Sequence, residues 1–590
     1  MSDYLLFVIL EGHGSSMMKK IIFLFLLSVF LFGFIKSHLN IRRDLDDIEI
    51  RKALSPGCSP AYSGNSQVGE DGKFITVLPG WGHYGYSIST KNDSAQFYFN
   101  QGLNMYYSYH WQEANASFKE AARFDPGSAM AYWGEALALG PGYNFSLHYK
   151  MRKEIPAVLL LMNQHAGLAS SKEKKLIEVM NRRYSSDTMD VQRPALNLAY
   201  ALGMHELTFL YPDDPDIRIL YVDAMMLIHA WDIWNNDGTP KPWTPEMIRL
   251  CESVLKENPH HPAALHYYIH LTEASRHPEM ALASADTLKQ LMPGVAHMVH
   301  MSSHEYERNG SYALGVEVND RADDDVMLYE SMATSLHLRK HILHYFAVQA
   351  YCGLSGAMYT KGLYDAIRCS KTAGPSHDDT YSQYAYMMPA FTNIRMGKWN
   401  EILKNEAEPD TSWTYAGIIH DFAMGMAFAN TGQPDSAKRR LLMLRKKSKD
   451  TILTIADTLN NKAIQGAIIA EEILNSVIYY SEKKYDSAIA HILLAIQEED
   501  GMFYSEPKEW MIPARQYLGF YYLKIGDAVS AEKTYREDLV WHPGDGWSLL
   551  GLCQSLKAQN KNDGIDGYQK KYLISFSHAD ELPPGSVYLK

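Results

Sequence analysis

Histidine is the residue type whose spacing in this sequence most clearly suggests chemistry. The chain has 24 histidines in 590 residues, and eleven of them fall between His260 and His344, where uniform scatter would place three or four. Neutral imidazole is a common protein ligand for zinc, copper and ferrous iron. The first question is therefore whether these histidines share helix faces, and the second is which elements would bring those faces together.

Three segments carry histidines at helical spacing. In NPHHPAALHYYIHLTEA two stand at i and i+4, in GVAHMVHMSSHEYERNG three stand at i, i+3 and i+7, and in SLHLRKHILHYF three stand at i, i+4 and i+7. Such spacing predicts one helix face for each set, with neighbouring β-carbons about 5–6 Å apart. The candidate metal ligands are His266, His270, His297, His300, His304, His341 and His344, with His337 completing the third pattern.

The residue types around these histidines favour a nitrogen or nitrogen–carboxylate metal site over a thiolate site. The five cysteines are widely separated and form no C-x-x-C pair. Glu273, one turn beyond His270, and Glu305 are candidate carboxylate ligands. The expected metal is copper, zinc or iron with an open coordination position. The alternative is that the histidines are ordinary hydrogen-bonding groups, as in repeat helices that hold peptides.

A repeated helical unit would position these segments. From Gly102 the residues Ala114, Phe118 and Pro126 follow at steps of 12, 4 and 8, and from Gly519 the residues Ala531, Tyr535 and Pro543 follow at the same steps. These intervals are typical of the helix-turn-helix tetratricopeptide (TPR) repeat, in which small residues let two helices touch. Weaker copies centre on Ala281, Ala313, Ala366, Ala437 and Ala488. The sequence predicts an all-α fold, an α-solenoid of about seven or eight TPR-like repeats.

The repeats and the segments between them give a domain organisation. Between about 140 and 260 the repeat signal fades, and WDIWNNDGTPKPWTPE interrupts the helical pattern with a Trp- and Pro-rich loop that either covers a concave face or packs on the adjacent helix. The predicted divisions are an export or anchor segment (1–40), an irregular segment (41–92), a first repeat (93–139), degenerate helical repeats (140–260), histidine-rich repeats (261–375), C-terminal repeats (376–560) and a tail (561–590).

The N-terminal segment predicts export. Lys19 and Lys20 precede a 15-residue apolar run from Ile21 to Ile35, which is the pattern of a secretory signal. At about 1.5 Å per residue the run reaches about 22 Å, short of the roughly 30 Å hydrocarbon core. We expect a periplasmic or secreted protein with a removed signal, and an uncleaved membrane anchor is the alternative.

Charge excludes one class of partner. The balance of 56 Lys+Arg against 68 Asp+Glu gives a net charge of −12, which argues against a protein that neutralises many nucleic-acid phosphates. No phosphate-binding glycine loop and no H-E-x-x-H motif is present in the sequence. A protein or peptide ligand is the expected partner.

Two motifs carry a narrower resemblance. The stretch HMVHMSSH and the later stretch EPKEWMIPAR resemble a group of bacterial, often exported, TPR proteins with an H-x-x-H-M-x-x-H helix and an E-P-x-x-W-x-x-P-x-R segment. Ser302 stands where that group usually has a proline. The resemblance marks the seven candidate histidines and adds Glu506, Trp510 and Arg515 as groove or binding residues, together with Pro507 and Pro513. It implies no particular reaction.

Two functions follow as hypotheses. The first is an exported TPR scaffold that binds a protein or peptide through a concave groove, which is the default for this architecture. The second is a metalloprotein, an oxidase or hydrolase, that holds a transition metal with the central histidine cluster. Sequence alone leaves open whether the chain is an enzyme.

Overall fold

The fold was analysed in a computed structural model, which describes residues 68–589 apart from 145–148, 188, 339–340, 456–459 and 563. The export segment predicted for residues 1–40 lies outside the described residues. The described part is all-α, with one isolated bridge between Trp234 and Pro240 and no strand. None of its helices is long and apolar enough to cross a membrane.

The helices follow one another as antiparallel neighbours, in agreement with the TPR-like α-solenoid class expected from the sequence. Residues 68–92 form no helix, as the irregular segment predicts. The α-helices are α1 (Asp93–Tyr107), α2 (Trp111–Phe124), α3 (Ala129–Ala138), α4 (Ile155–His165), α5 (Ser171–Arg182), α6 (Arg193–Leu210), α7 (Pro215–Ile228), α8 (Thr244–Glu257), α9 (Pro262–Thr272), α10 (Leu282–Leu291), α11 (Ala296–Arg308), α12 (Tyr312–Met332), α13 (Leu343–Ser355), α14 (Tyr359–Thr372), α15 (Thr380–Tyr386), α16 (Met388–Arg395), α17 (Trp399–Asn405), α18 (Thr414–Asn430), α19 (Pro434–Lys447), α20 (Ile452–Ile455), α21 (Ala463–Ser481), α22 (Tyr485–Asp500), α23 (Ala514–Lys524), α24 (Ala528–Trp541), α25 (Gly546–Ala558) and α26 (Ile565–Ser575).

The glycines of the repeat signature mark close helix contacts. A methyl group added at Gly102 of α1 would overlap the Phe118 ring of α2, and one added at Gly134 of α3 would overlap the same ring from the other side. Gly519 of α23 and Gly551 of α25 flank Tyr535 of α24 in the same way. The same packing of an aromatic ring between two glycines therefore recurs at both ends of the described chain. It explains why glycine and aromatic positions recur in the sequence.

The Trp- and Pro-rich loop packs on neighbouring helices, which is one of the two alternatives considered for it. The Trp234 indole N–H donates to the Leu271 carbonyl of α9 at 2.8 Å, which ties the loop to the histidine-bearing helices. Trp243 instead stacks on His229, with 3.7 Å between ring centroids. Trp231 adopts a positive φ of 62° and stacks on Tyr143. The loop thus forms one wall beside α9.

The C-terminal repeats pack against the central ones. The Trp547 indole N–H of α25 donates to the Ser355 carbonyl at the end of α13 at 2.8 Å. Arg308, the last residue of α11, donates to the Trp541 carbonyl at the end of α24 at 3.1 Å. These contacts join the last repeats to α11 and α13, two of the histidine-bearing helices.

The third histidine segment departs from the predicted helix face. His337 adopts a left-handed conformation with φ 49°, and α13 begins only at Leu343. His337 and His341 therefore precede the helix, and only His344 lies on it. The expectation that all three share one helical face is wrong, because the left-handed residue breaks the periodicity before the helix starts.

Candidate functional site

Three helices bring six of the candidate histidines together. Helix α9 carries His266 and His270, helix α11 carries three more one turn apart as the spacing predicted, and α13 contributes one. All six side chains are buried, with relative exposures of 3% or less. The six are His266, His270, His297, His300, His304 and His344.

The histidines divide into two triads of ligand atoms. In triad one, formed by His266, His270 and His297, one ring nitrogen of each lies within 4.8 Å of the others. In triad two, formed by His300, His304 and His344, the same holds. The shortest contacts are Nε2 to Nε2, at 3.0 Å between His266 and His297 and 2.9 Å between His300 and His304. Such separations suit nitrogens that share an ion at about 2.0–2.1 Å.

The two triads are neighbours along α11. The rings of His297 and His300 are 6.2 Å apart between centroids. The sequence left open whether the histidines of α9 and α11 converge on one site. In the structure they belong to two adjacent triads rather than to a single cluster. His297 turns towards α9, whereas His300 and His304 turn towards α13.

Oxygen acceptors hold the outer nitrogens of these rings. The Nδ1 of His266 lies 2.7 Å from the Tyr107 carbonyl oxygen, and the Nδ1 of His300 lies 2.6 Å from the Asn319 side-chain oxygen. The Asn319 amide nitrogen donates elsewhere, to the Gly315 carbonyl, which fixes its oxygen towards His300. Because these oxygens can only accept, each Nδ1 carries a proton and each neutral ring presents a lone pair at Nε2.

Two glutamates lie beside the outer nitrogens of His270 and His304. The Nδ1 of His270 lies 2.9 Å from Glu273, and the Nδ1 of His304 contacts Glu506 and lies 3.6 Å from Glu273. Glu273, His304 and Glu506 form a third set of possible ligands. Burial and the Glu506 charge hold the pKa of Glu273 well above its ordinary value. Burial alone would raise the pKa of Glu506. The neighbouring His304 ring lowers it, and the pKa lies below its ordinary value.

Burial keeps five of the six triad histidines neutral. It lowers the pKa of His266 and of His344 to about 3 in each case. It holds the pKa of His270, His297 and His300 well below the ordinary value, and the neighbouring histidines add to the effect. Neutral imidazole with a free Nε2 lone pair is the form that binds a metal ion.

Two residues at the site were missed in the sequence. Tyr109 sits in the turn between α1 and α2 with a positive φ of 58°, and its ring centroid lies 4.5 Å from that of His266 and 5.4 Å from that of His297. The next residue, His110, accepts the His297 backbone N–H at its Nε2 at 3.4 Å. Neither shares a periodic pattern with the other histidines, so only the approach of the α1–α2 turn to α9 and α11 reveals them.

Several predicted residues lie outside the triads. His341 contacts Asp323 through Nδ1 at 2.9 Å. Glu305 belongs to neither triad, and burial raises its pKa well above the ordinary value. Trp510 is buried between Phe391 and Phe422, and Arg515 forms a two-point ion pair with Asp500 at 2.6 Å. Glu506, marked by the resemblance, is the one of its three added residues that contacts a triad histidine.

A cavity of about 370 Å³ reaches the edge of triad one. His270 and Glu273 line it, together with Trp231 and Trp234 of the Trp- and Pro-rich loop. Most of residues 499–510, at the end of α22 and in the segment that follows it, also line the cavity. Among the described residues, the Nε2 of His270 has no hydrogen-bond partner. The cavity therefore ends beside an imidazole with an unused lone pair.

Comparisons with known proteins add little beyond the helical class. No family model and no curated protein matches the chain. Human IFIT1 in a dimer with m7Gppp-AAAA is similar over 83% of this chain and 91% of its own, at 11% identity and a TM-score of 0.28. Yeast Tom70 is similar over 82% and 93%, at 9% identity and a TM-score of 0.29. At such scores neither likeness carries an inference about function.

Proposed function

We propose that this protein is a metalloprotein that holds two transition-metal ions, one in each histidine triad, inside a framework of TPR-like repeats. The observation that carries the proposal is the contact between His300 and His304. Their Nε2 atoms are 2.9 Å apart, and each ring has an acceptor at Nδ1. A metal ion between the two Nε2 atoms would be ligated by both rings, with their outer nitrogens held by Asn319 and Glu506.

A structural role accounts poorly for the same arrangement. Buried polar groups in proteins are nearly always hydrogen-bonded, because an unmet group costs about 1–3 kcal/mol. The Nε2 of His270 lacks a partner among the described residues, although an acceptor occupies its Nδ1. Carboxylates and carbonyls behind the ligating rings are the usual outer partners of metal-bound histidines, since they fix the tautomer and the ring orientation.

The donor set restricts the metal. Each triad offers three imidazole nitrogens, and triad two has the carboxylates of Glu273 and Glu506 beside it. Nitrogen ligands of this kind suit zinc, copper or ferrous iron rather than calcium or magnesium. Three protein ligands leave a fourth position open, as in catalytic zinc sites. The cavity at His270 gives triad one access to a small molecule.

Elemental analysis tests this proposal. Full-length protein purified without a polyhistidine tag, stripped with a chelator and reconstituted separately with Zn²⁺, Cu²⁺ or Fe²⁺, is expected to retain about two equivalents of at least one metal after gel filtration. Less than about a tenth of an equivalent of every metal would exclude the proposal.

Protein binding is the second candidate, supported by an exposed apolar row on α6. Leu198, Leu202 and Phe209 lie on one side of this helix and are 48%, 54% and 73% exposed. Exposed apolar rows on helices are typical of partner-binding surfaces.

A site-specific cross-linker tests the α6 surface. Placed at Phe209 in the native cell, it is expected to capture one discrete partner protein, and the Leu202→Asp variant is expected to lose that product. A cross-linker at exposed Lys533 of α24 is the control. Identical products from both positions would contradict a partner-binding surface on α6.

A further inference from the structure

Three cations that form no ion pair among the described residues line the cavity beside triad one. Arg276, Arg308 and Lys508 all line it. Among the described residues, Lys508 has neither a hydrogen bond nor an ion pair through its ammonium group, and no carboxylate lies within ion-pair distance of either arginine. Cations in a partly desolvated cavity are costly unless an anion accompanies them.

Both arginines are oriented by backbone carbonyls. The Arg308 guanidinium donates to the carbonyls of Glu273, Ser275 and Trp541 at 2.8–3.1 Å. Arg276 donates to the Asn236 carbonyl at 3.2 Å and lies over the Trp541 ring at 4.6 Å. Trp541 therefore holds both guanidinium groups at the same wall of the cavity. Carbonyl oxygens orient the two groups without neutralising them.

The acidic residues that line the same cavity are engaged elsewhere. Asp232 pairs with Lys241 at 2.8 Å, and Asp500 pairs with Arg515. Glu499 accepts the Ala514 backbone N–H at 2.8 Å, and burial raises its pKa to about 7. Glu509 accepts the Asn460 backbone N–H at 2.7 Å. The fifth lining carboxyl, Glu273, contacts His270. Among the described residues, none of the five forms an ion pair with Arg276, Arg308 or Lys508.

Two further acidic residues near the cations also have other partners. Asp538 contacts His542 at 3.0 Å, and Asp545 accepts from Gln516 at 2.8 Å. The carboxyls nearest to Arg308 in sequence are Glu305 and Glu307, and burial raises the pKa of both, that of Glu307 to about 7. The positive charge at the cavity wall is therefore only partly offset by the protein itself.

Aromatic residues make up much of the remaining lining. They include Trp231, Trp234, Phe503, Tyr504 and Trp541. Its volume of about 370 Å³ lies in the range of small-molecule sites, which are usually apolar with a few fixed polar groups.

We propose that this cavity binds a small organic anion, with its carboxylate or phosphate-type head group at Arg276, Arg308 and Lys508 and its apolar or aromatic body against the tryptophans, directed towards His270. The site goes beyond metal binding and does not require it, since no cation in it is a metal ligand. A ligand bound in this way would end beside the open position of triad one.

Three probes with the same benzyl body test the site: phenylacetate, benzylphosphonate and the neutral phenylacetamide. Calorimetric titration into metal-free full-length protein is expected to show that at least one anion binds about tenfold or more tightly than the amide, because charged hydrogen bonds are lost with the neutral head group. A tighter phosphonate would assign phosphate-type ligands, and a tighter carboxylate would assign organic acids.

Variants separate this site from general charge effects. Arg276→Gln and Lys508→Met are each expected to weaken anion binding about fivefold or more, and Lys533→Met, at an exposed position of α24, is expected to leave it unchanged. Unchanged helix content and thermal unfolding, measured by circular dichroism on the metal-free variants, would show that they fold. Equal affinity for anions and amide, no binding of any probe, or insensitivity to both cavity variants would overturn the proposal. Because the titration uses metal-free protein, failure of metal loading would leave its result standing.

Discussion

Alanine at His297 is expected to remove one of two metal ions, and alanine at His304 to remove the other. His297 supplies a nitrogen of triad one and His304 one of triad two. Loss of an outer hydrogen-bond partner of a metal ligand commonly lowers metal affinity 10- to 100-fold, so loss of a ligand itself is expected to lower it by more than about 100-fold. Competition titrations with a chromophoric chelator would measure both the stoichiometry and the affinities.

His341→Ala is the matched control for this experiment. His341 lies near the same helices but contacts Asp323 rather than a triad histidine. The control is expected to retain two ions at the affinity of the unmodified protein, with unchanged helix content by circular dichroism. Full retention of both ions by the His297 and His304 variants would contradict the assignment, as would equal loss in the control.

Metal-free protein is expected to lose stability steeply as the pH falls below about 6.5. In the unfolded chain a histidine has a pKa of about 6.5, whereas burial lowers that of His266 and His344 to about 3 in the folded protein. Above pH 6.5 both states hold neutral rings and pH has no effect through these groups. Between about 6.5 and 3 only the unfolded state binds the protons. Each such histidine therefore lowers the free energy of unfolding by roughly 1.4 kcal/mol per pH unit.

Buried carboxyls act in the opposite direction, so the histidine contribution must be measured as a difference. Glu273, whose pKa is raised, binds a proton more readily when folded. Urea unfolding of metal-free protein between pH 7.5 and 4.5 should be compared with that of His266→Gln, whose amide can still donate to the Tyr107 carbonyl. The variant is expected to have a slope shallower by about 1.4 kcal/mol per pH unit. Equal slopes would show that His266 is protonated in the folded state.

The spacing in the sequence predicted which histidines share a face within one helix. The i, i+3 and i+7 spacing placed His297, His300 and His304 on one face of α11, and the i, i+4 spacing did the same for His266 and His270 on α9. Likewise the repeated glycine and aromatic positions predicted the packing of α1, α2 and α3, because these contacts depend on residues close in sequence.

Tertiary structure determines what the spacing could not predict. His297 faces α9 while His300 faces α13, so the division into triads depends on how three helices pack. Tyr109 reaches triad one from a left-handed turn, and Glu506 reaches His304 across about two hundred residues of chain. No periodic signal reports such approaches. His341 is the opposite case. Its spacing from His337 and His344 fits a helix face, but α13 begins only at Leu343.

The most direct test of the two-ion centre is anomalous X-ray diffraction from crystals of reconstituted protein, recorded on both sides of the absorption edge of the bound metal. Two anomalous peaks are expected, one bounded by His266, His270 and His297 and the other by His300, His304 and His344, each with imidazole nitrogens at about 2.0–2.1 Å. A map with no peak at either triad, although metal is present in the crystal, would contradict the account.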